Sequence, residues 1–212
     1  MGRPGYKLDM TMMFVVHDAL RRDLAQLARI AAATDDDPRQ TLRTAAGWQL
    51  FKSFLRAHHT SEDVTVWAPM ATLLADRQDR ALLEAMEAEH AAIDPLIDAV
   101  DAAVADRESE PRHLGDVVDA LYLGLSGHLR HEEDEGLRLI DAVLTPQQWQ
   151  AFGAEHRSRI GGDAPRYLPW LLDGASPQTI EAVLGRMPAA MQQTFATEWR
   201  PAYLDLRPWN AT

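Results

Sequence analysis

Two His-x-x-x-Glu pairs, His58 with Glu62 and His128 with Glu132, constrain the fold of this chain more than any other feature. Four residues apart on a helix, the two side chains stand one above the other on a single face, about 6 Å apart. In both cases that face is the apolar one. The first pair shares a stripe with Phe51, Leu55 and Val66, the second with Leu114, Val117, Leu121, Leu125, Leu139 and Val143. His17 falls in the same way among Met13, Leu20, Leu24, Leu27 and Ala31, and His90 among Leu83, Met86, Ile93, Ile97, Val100 and Val104. Six ionisable groups therefore sit on the inward stripes of four different helices.

The helical period predicts long helices over 9–33, 39–68, 76–106 and 112–143, and no alternating β pattern competes with them. Thr34-Asp35-Asp36-Asp37-Pro38 ends the first; Pro69 closes or kinks the second, and Pro95 should bend the third one turn past His90. Short connections between four such helices predict an all-α, up-down-up-down four-helix bundle over 9–144. From Thr145 the pattern changes. Thr145-Pro146 and Ser176-Pro177 read as an N-cap with proline at the first helical position, and Gly161-Gly162, Gly174, Gly185 and Pro188 cut the stretch into short helices. The expectation is a short-helix extension, 145–212, packed on the bundle and not an independent domain.

Composition narrows the function. A formal net charge of −11 without any Lys/Arg cluster argues against nucleic acid or an anionic membrane as partner. The absence of cysteine excludes thiolate ligands, Fe–S clusters, disulfides and a Cys nucleophile. The opening residues lack an apolar signal core and no 18-residue apolar run occurs, so the expected location is cytoplasmic. Gly161-Gly162 lacks the Lys-Ser/Thr of a phosphate loop, and no serine stands in a Gly-x-Ser-x-Gly context.

Burying six ionisable groups without partners would cost several kcal/mol each, against a total stability of about 5–15 kcal/mol. A bound cation removes that conflict by taking imidazole nitrogens and carboxylate oxygens as ligands. Nitrogen and oxygen donors without sulfur suit iron, with manganese or zinc as alternatives. Six protein ligands exceed one tetrahedral site but suit two ions sharing carboxylates, with open positions for a small molecule such as O2, peroxide or NO.

On these residues the chain resembles the hemerythrin-like family, the HHE cation-binding domain, in a form with a C-terminal short-helix extension like that of actinobacterial members. The matching stretches are His17-Asp-Ala-Leu-Arg-Arg-Asp-Leu, His58-His-Thr-Ser-Glu62-Asp-x-x-x-Trp67-x-Pro69, Glu89-His90-x-x-Ile93 and His128-Leu-Arg-His-Glu132-Glu. The resemblance implies a non-haem di-iron centre. His17, His58, His90 and His128 would be terminal imidazole ligands and Glu62 and Glu132 would bridge. Oxygen-carrying members place two histidines one turn apart on the third helix, where this chain has Met86 before His90. Glu87, His59 or His131 are the candidates for an additional ligand, each expected beside the site or at the surface. A site short of one imidazole would leave the metal more open, which favours redox handling or sensing over oxygen storage.

Within the run Glu132-Glu133-Asp134-Glu135, Glu132 alone is expected to turn inward, and Trp67 and Tyr122 are expected in core packing. His156 reads as a surface or capping residue. Three rivals stand beside this reading. A ferritin-like di-iron oxidase needs two Glu-x-x-His motifs, of which Glu87-x-x-His90 is one and Glu110-x-x-His113 contains Pro111. A DinB-like bundle, resembling metal-dependent thiol transferases, would hold a single ion on three histidines. A metal-free helical interaction module would use no ion, and no protein partner is readable.

Overall fold

The computed structural model describes residues 5–33, 37–74, 77–106 and 111–210, and among these every regular element is helical. Loop residues Thr34, Asp35 and Asp36, and Glu110 of the second Glu-x-x-His candidate, lie outside the described residues. Helix α1 is Thr11–Ala31. The predicted second helix is two: α2, Pro38–Thr44, and α3, which begins at Ala46. Ala45 between them is extended, with ψ 111°. This break admits the far end of the chain. Gly47 N–H donates to the Pro208 carbonyl, and a Cβ on Gly47 would lie 2.5 Å from the Trp209 ring. Only glycine leaves room for that indole.

Helix α3 runs on past Pro69, in segments Ala46–Glu62, Asp63–Trp67 and Ala68–Leu73. The middle segment is a π turn, in which Ala68 N–H reaches the Asp63 carbonyl five residues back. Widening the turn shifts carbonyls out of α register. The Thr65 hydroxyl takes up the Ser61 carbonyl at 2.6 Å, and the Ser61 hydroxyl that of Ala57 at 2.6 Å. Such a bulge accommodates Pro69, which has no N–H to offer. Helix α4, Arg77–Ala105, continues through Pro95. Helix α5 repeats the design of α3, with Pro111–His131, a π turn Glu132–Gly136 and then Leu137–Val143. A π turn thus follows Glu62 in the first His-x-x-x-Glu pair and starts at Glu132 in the second.

Helices α1, α3, α4 and α5 form the bundle, with α4 packed along α5 and α1 against both α3 and α5. The extension comprises α6 (Pro146–Ile160), a 3-10 turn Gly161–Asp163, α7 (Ala164–Leu172), α8 (Pro177–Leu184), and α9 from Ala189 through a third π turn, Phe195–Trp199, to Leu206. Both caps read from sequence are present. Thr145 forms a capping box with Gln148, and Ser176 accepts from Thr179 N–H. Tyr167, Trp170, Val183, Phe195 and Tyr203 belong to the same apolar cluster as Leu20, Leu24, Phe54 and Leu125 of the bundle. Trp170 is pinned further by its indole N–H, 2.6 Å from the buried Asp23 carboxylate, which Arg22 also holds.

Apolar packing divides into two clusters stacked along the bundle. One holds Leu20, Leu55, Ile93 and Leu125, the other Met13, Val66, Trp67, Met86 and Leu137. On every bundle helix the switch between clusters falls close to the level of its histidine, His17, His58, His90 or His128. That level is a polar layer enclosed from both ends.

Candidate metal centre

All six residues placed by sequence on the inward stripes meet in this layer. His17, Glu62 and Glu132 are fully buried, and His58, His90 and His128 nearly so. His17 Nε2 lies 3.1 Å from His58 Nε2 and 3.2 Å from Glu132 Oε2, and His58 Nε2 lies 3.2 Å from Glu62 Oε1. His90 Nε2 lies 3.0 Å from His128 Nε2, and Glu62 Oε2 approaches it at 3.6 Å. Glu132 Oε2 stands 3.9 Å from His128 Nε2. The two carboxylates therefore lie between two sets of imidazoles.

The second set has a third member. His59 is buried, stacked on His90 and edge-on to His128 with ring centroids 5.2 Å apart. Potential ligand atoms of His59, His90 and His128 gather within 4.8 Å of one another, and so do those of His17, His58, Glu62 and Glu132. His59, expected beside the site or at the surface, is buried with its ring against those of His90 and His128. At 100° per residue its ring would point well away from that of His58, but the facing helix α4 meets it. Of the other additional candidates, Met86 is fully buried in the apolar cluster beneath the site, its sulfur 3.5 Å from where a Gly136 Cβ would lie. Glu87 is exposed. His131 is half-buried and donates toward Glu89, 2.8 Å away, placing it outside both groups.

A ring of carboxylates orients the imidazoles. His17 Nδ1 is 2.9 Å from Glu133, His90 Nδ1 2.7 Å from Asp63 and His128 Nδ1 2.9 Å from Glu89. With Nδ1–H held by a carboxylate, Nε2 turns its lone pair inward, the arrangement typical of metal-ligating histidine. Glu133 thus also turns toward the bundle, where Arg21 reaches it at 2.8 Å, correcting the expectation that Glu132 alone does so. These partners are half-exposed acids with ordinary helix spacing, so nothing in the pattern singled them out. Tyr122 is exposed, contrary to its expected place in the core, whereas Trp67 is fully buried.

Electrostatics without a cation are frustrated. Burial, reinforced by Glu132, pushes the Glu62 carboxyl well above the ordinary range. Burial acts on Glu132 too, but the His17 ring beside it prevails and holds that carboxyl down. Burial and the neighbouring imidazoles push His58 and His59 well below the usual histidine range, leaving them neutral and able to ligate. Burial would also lower His17, but Glu132 and Glu133 raise it. Neither oxygen of Glu62 or Glu132 meets a donor in hydrogen-bonding geometry. Lone pairs aimed at one another 3.0–3.2 Å apart match the edge of a coordination polyhedron, about 3 Å for cis ligands bound at roughly 2.1 Å. The residues fit a bound cation.

A helical bundle with an enclosed layer of cation-competent side chains is the class this geometry defines. Comparison with curated proteins and with solved structures gives no match. Residues 10–140 match the model of the hemerythrin HHE cation-binding domain, and the chain belongs to that family.

Proposed function

We propose that the polar layer holds two metal ions, iron in the first instance, and that the centre binds and turns over O2, peroxide or NO. One observation carries the reading. Glu62 faces His58 through Oε1 and His90 through Oε2, so a single carboxylate spans both imidazole sets. One set offers His17 and His58, the other His59, His90 and His128, with Glu62 and Glu132 shared between them. Bound iron would supply one-electron redox chemistry and open coordination positions for the small ligand.

The chain's own residues do the rest. Glu133, Asp63 and Glu89 fix the imidazole tautomers. Glu89 additionally joins His128 to the half-exposed His131, a hydrogen-bonded line along which a proton can be held near the surface. A cleft of about 300 Å³ between α3 and α4, lined by Arg56, His59, Asp63, Glu87, His90 and Asp94, reaches the second set from outside. Its polar walls give protons and solvent access, which favours turnover over reversible storage. With five imidazoles gathered inward the site is not short of histidine, and the preference for turnover rests on the cleft.

Anaerobic loading with Fe(II), metal counting and spectra on admission of air test the proposal. Two irons per chain and ferric charge-transfer absorption lost in His58→Ala and His128→Ala are expected. One zinc or nickel per chain would favour the single-ion bundle, and a protein that melts normally and ignores Fe(II) the metal-free module. Rapid, fully reversible O2 binding with no peroxide consumed would restore the carrier.

A further inference from the structure

Behind His58, on the side away from the polar layer, lies a second cavity of about 570 Å³. Helices α1 and α3 form one wall through Val16 and His58, and the extension forms the other through Phe152, Ile160, Val183 and Met187. Its lining is mostly apolar, as in small-molecule sites of this size. Besides the exposed Arg157 and Arg186, three buried polar groups interrupt it. His58 Nδ1, His156 Nε2 and the Tyr167 hydroxyl are all buried and find no hydrogen-bond partner in the protein. They cluster, with ring centroids 6.0 Å apart for His58 and His156 and 5.4 Å for His156 and Tyr167. The sequence expectation of a surface role for His156 is corrected here: 9% of it is exposed.

Three unsatisfied polar groups lining one apolar cavity cost stability unless something meets them. Their chemistry selects the partner. The Tyr167 hydroxyl donates, and burial keeps the phenol protonated. His156 turns a buried, unpartnered Nε2 into the same space, and its Nε2–H tautomer donates there. His58 directs Nε2 to His17 and Glu62, so the edge left for the cavity is that of Nδ1, which carries the proton whenever Nε2 ligates. Donors in a mostly apolar chamber suit a neutral acceptor oxygen. A carboxylate would have to sit at Arg157 or Arg186, both of which are exposed, the second paired with Asp9.

We infer that this cavity binds a largely apolar molecule bearing a carbonyl oxygen, of the ketone or quinone class, held by Tyr167, His156 and His58 and thereby placed against the back of a candidate metal ligand. The cavity and two of its donors stand independently of the metal reading; only the proton on His58 rests on it.

Calorimetric titration of the whole chain, metal-loaded and metal-free, with 2-methyl-1,4-naphthoquinone, 2-methylnaphthalene and 2-naphthoate separates the possibilities. The chain has no cysteine for the quinone to alkylate. The quinone should bind more tightly than the hydrocarbon, and Tyr167→Phe and His156→Phe should each erode that preference about three- to tenfold. Val183→Trp should abolish binding of both, and Met187→Trp, at the half-buried rim, should do so if the first variant fails to fold. Equal affinity for quinone and hydrocarbon, tightest binding of naphthoate, no binding at all, or indifference to Tyr167→Phe would each overturn the inference. Binding that persists in metal-free protein while iron loading fails would count against the metal proposal alone.

Discussion

His59 and His90 stack face to face, ring centroids 4.0 Å apart and 12° from parallel. Two rings so placed can direct nitrogens at one ion from two helices. His59→Ala should therefore leave a folded protein that has lost much of its second metal, with the first retained. Metal content after dialysis against a weak chelator reads this directly. Full retention of both ions would place His59 outside the coordination sphere.

The carboxylates behind the imidazoles should matter nearly as much as the ligands. Glu89→Gln or Asp63→Asn keeps shape and removes charge, and metal affinity should fall roughly 10–100-fold, as when such supporting groups are lost elsewhere. Glu89→Gln should have a further effect on the pH profile of any peroxide consumption, because His131 loses its link to His128. Competition with a chromophoric chelator measures the first effect. Unchanged affinity in both variants would remove these acids from the site.

Acid should weaken the metal-free protein partly through His156. Its folded-state value of about 4 lies below the 6.5 of an unperturbed histidine, so the unfolded chain takes up the proton first. The stability this histidine supports is complete above pH 6.5 and falls progressively as pH drops toward 4, by at most about 3 kcal/mol. His58, His59 and His128, lowered chiefly by burial, act in the same direction. Urea unfolding across that window should show a shallower loss in His156→Phe than in the parent chain. Parallel slopes would refute the assignment.

Gly47→Ala should unseat Trp209. A methyl group 2.5 Å from the indole forces it away, costing about 1–3 kcal/mol by overpacking. In a Trp209→Ala background the same change should be neutral or stabilising by up to about 1 kcal/mol, since alanine is the better helix former. A double-mutant cycle in thermal unfolding supplies the test, and additive effects would contradict it.

The bundle and its six inward acids and imidazoles could be read from the chain because a helical stripe repeats locally, and a charged residue on it announces itself. His59 could not, for its burial comes from the facing helix α4 and not from its own stripe. The break at Ala45 was hidden for a related reason: Arg39 and Leu42 are buried and carry the apolar pattern across it, while Trp209, which packs against Gly47 beside it, lies far away in sequence. His156 looked like a surface residue because α6 has a weak apolar face of its own, and what covers it are α3 and α7. The extension's caps were legible, being written in three or four consecutive residues.

Each π turn amounts to one residue more than an α-helix needs, placed directly after Glu62 in α3 and at Glu132 in α5. Drawing either turn into α geometry with its residue count unchanged would give better regular bonding and the wrong phase, everything beyond it rotated by about 100°. Trp67, Met70, Leu137 and Ile140 would swing out from beneath the histidines. A lineage that straightened these coils would thus gain regularity and lose the floor beneath its buried histidines.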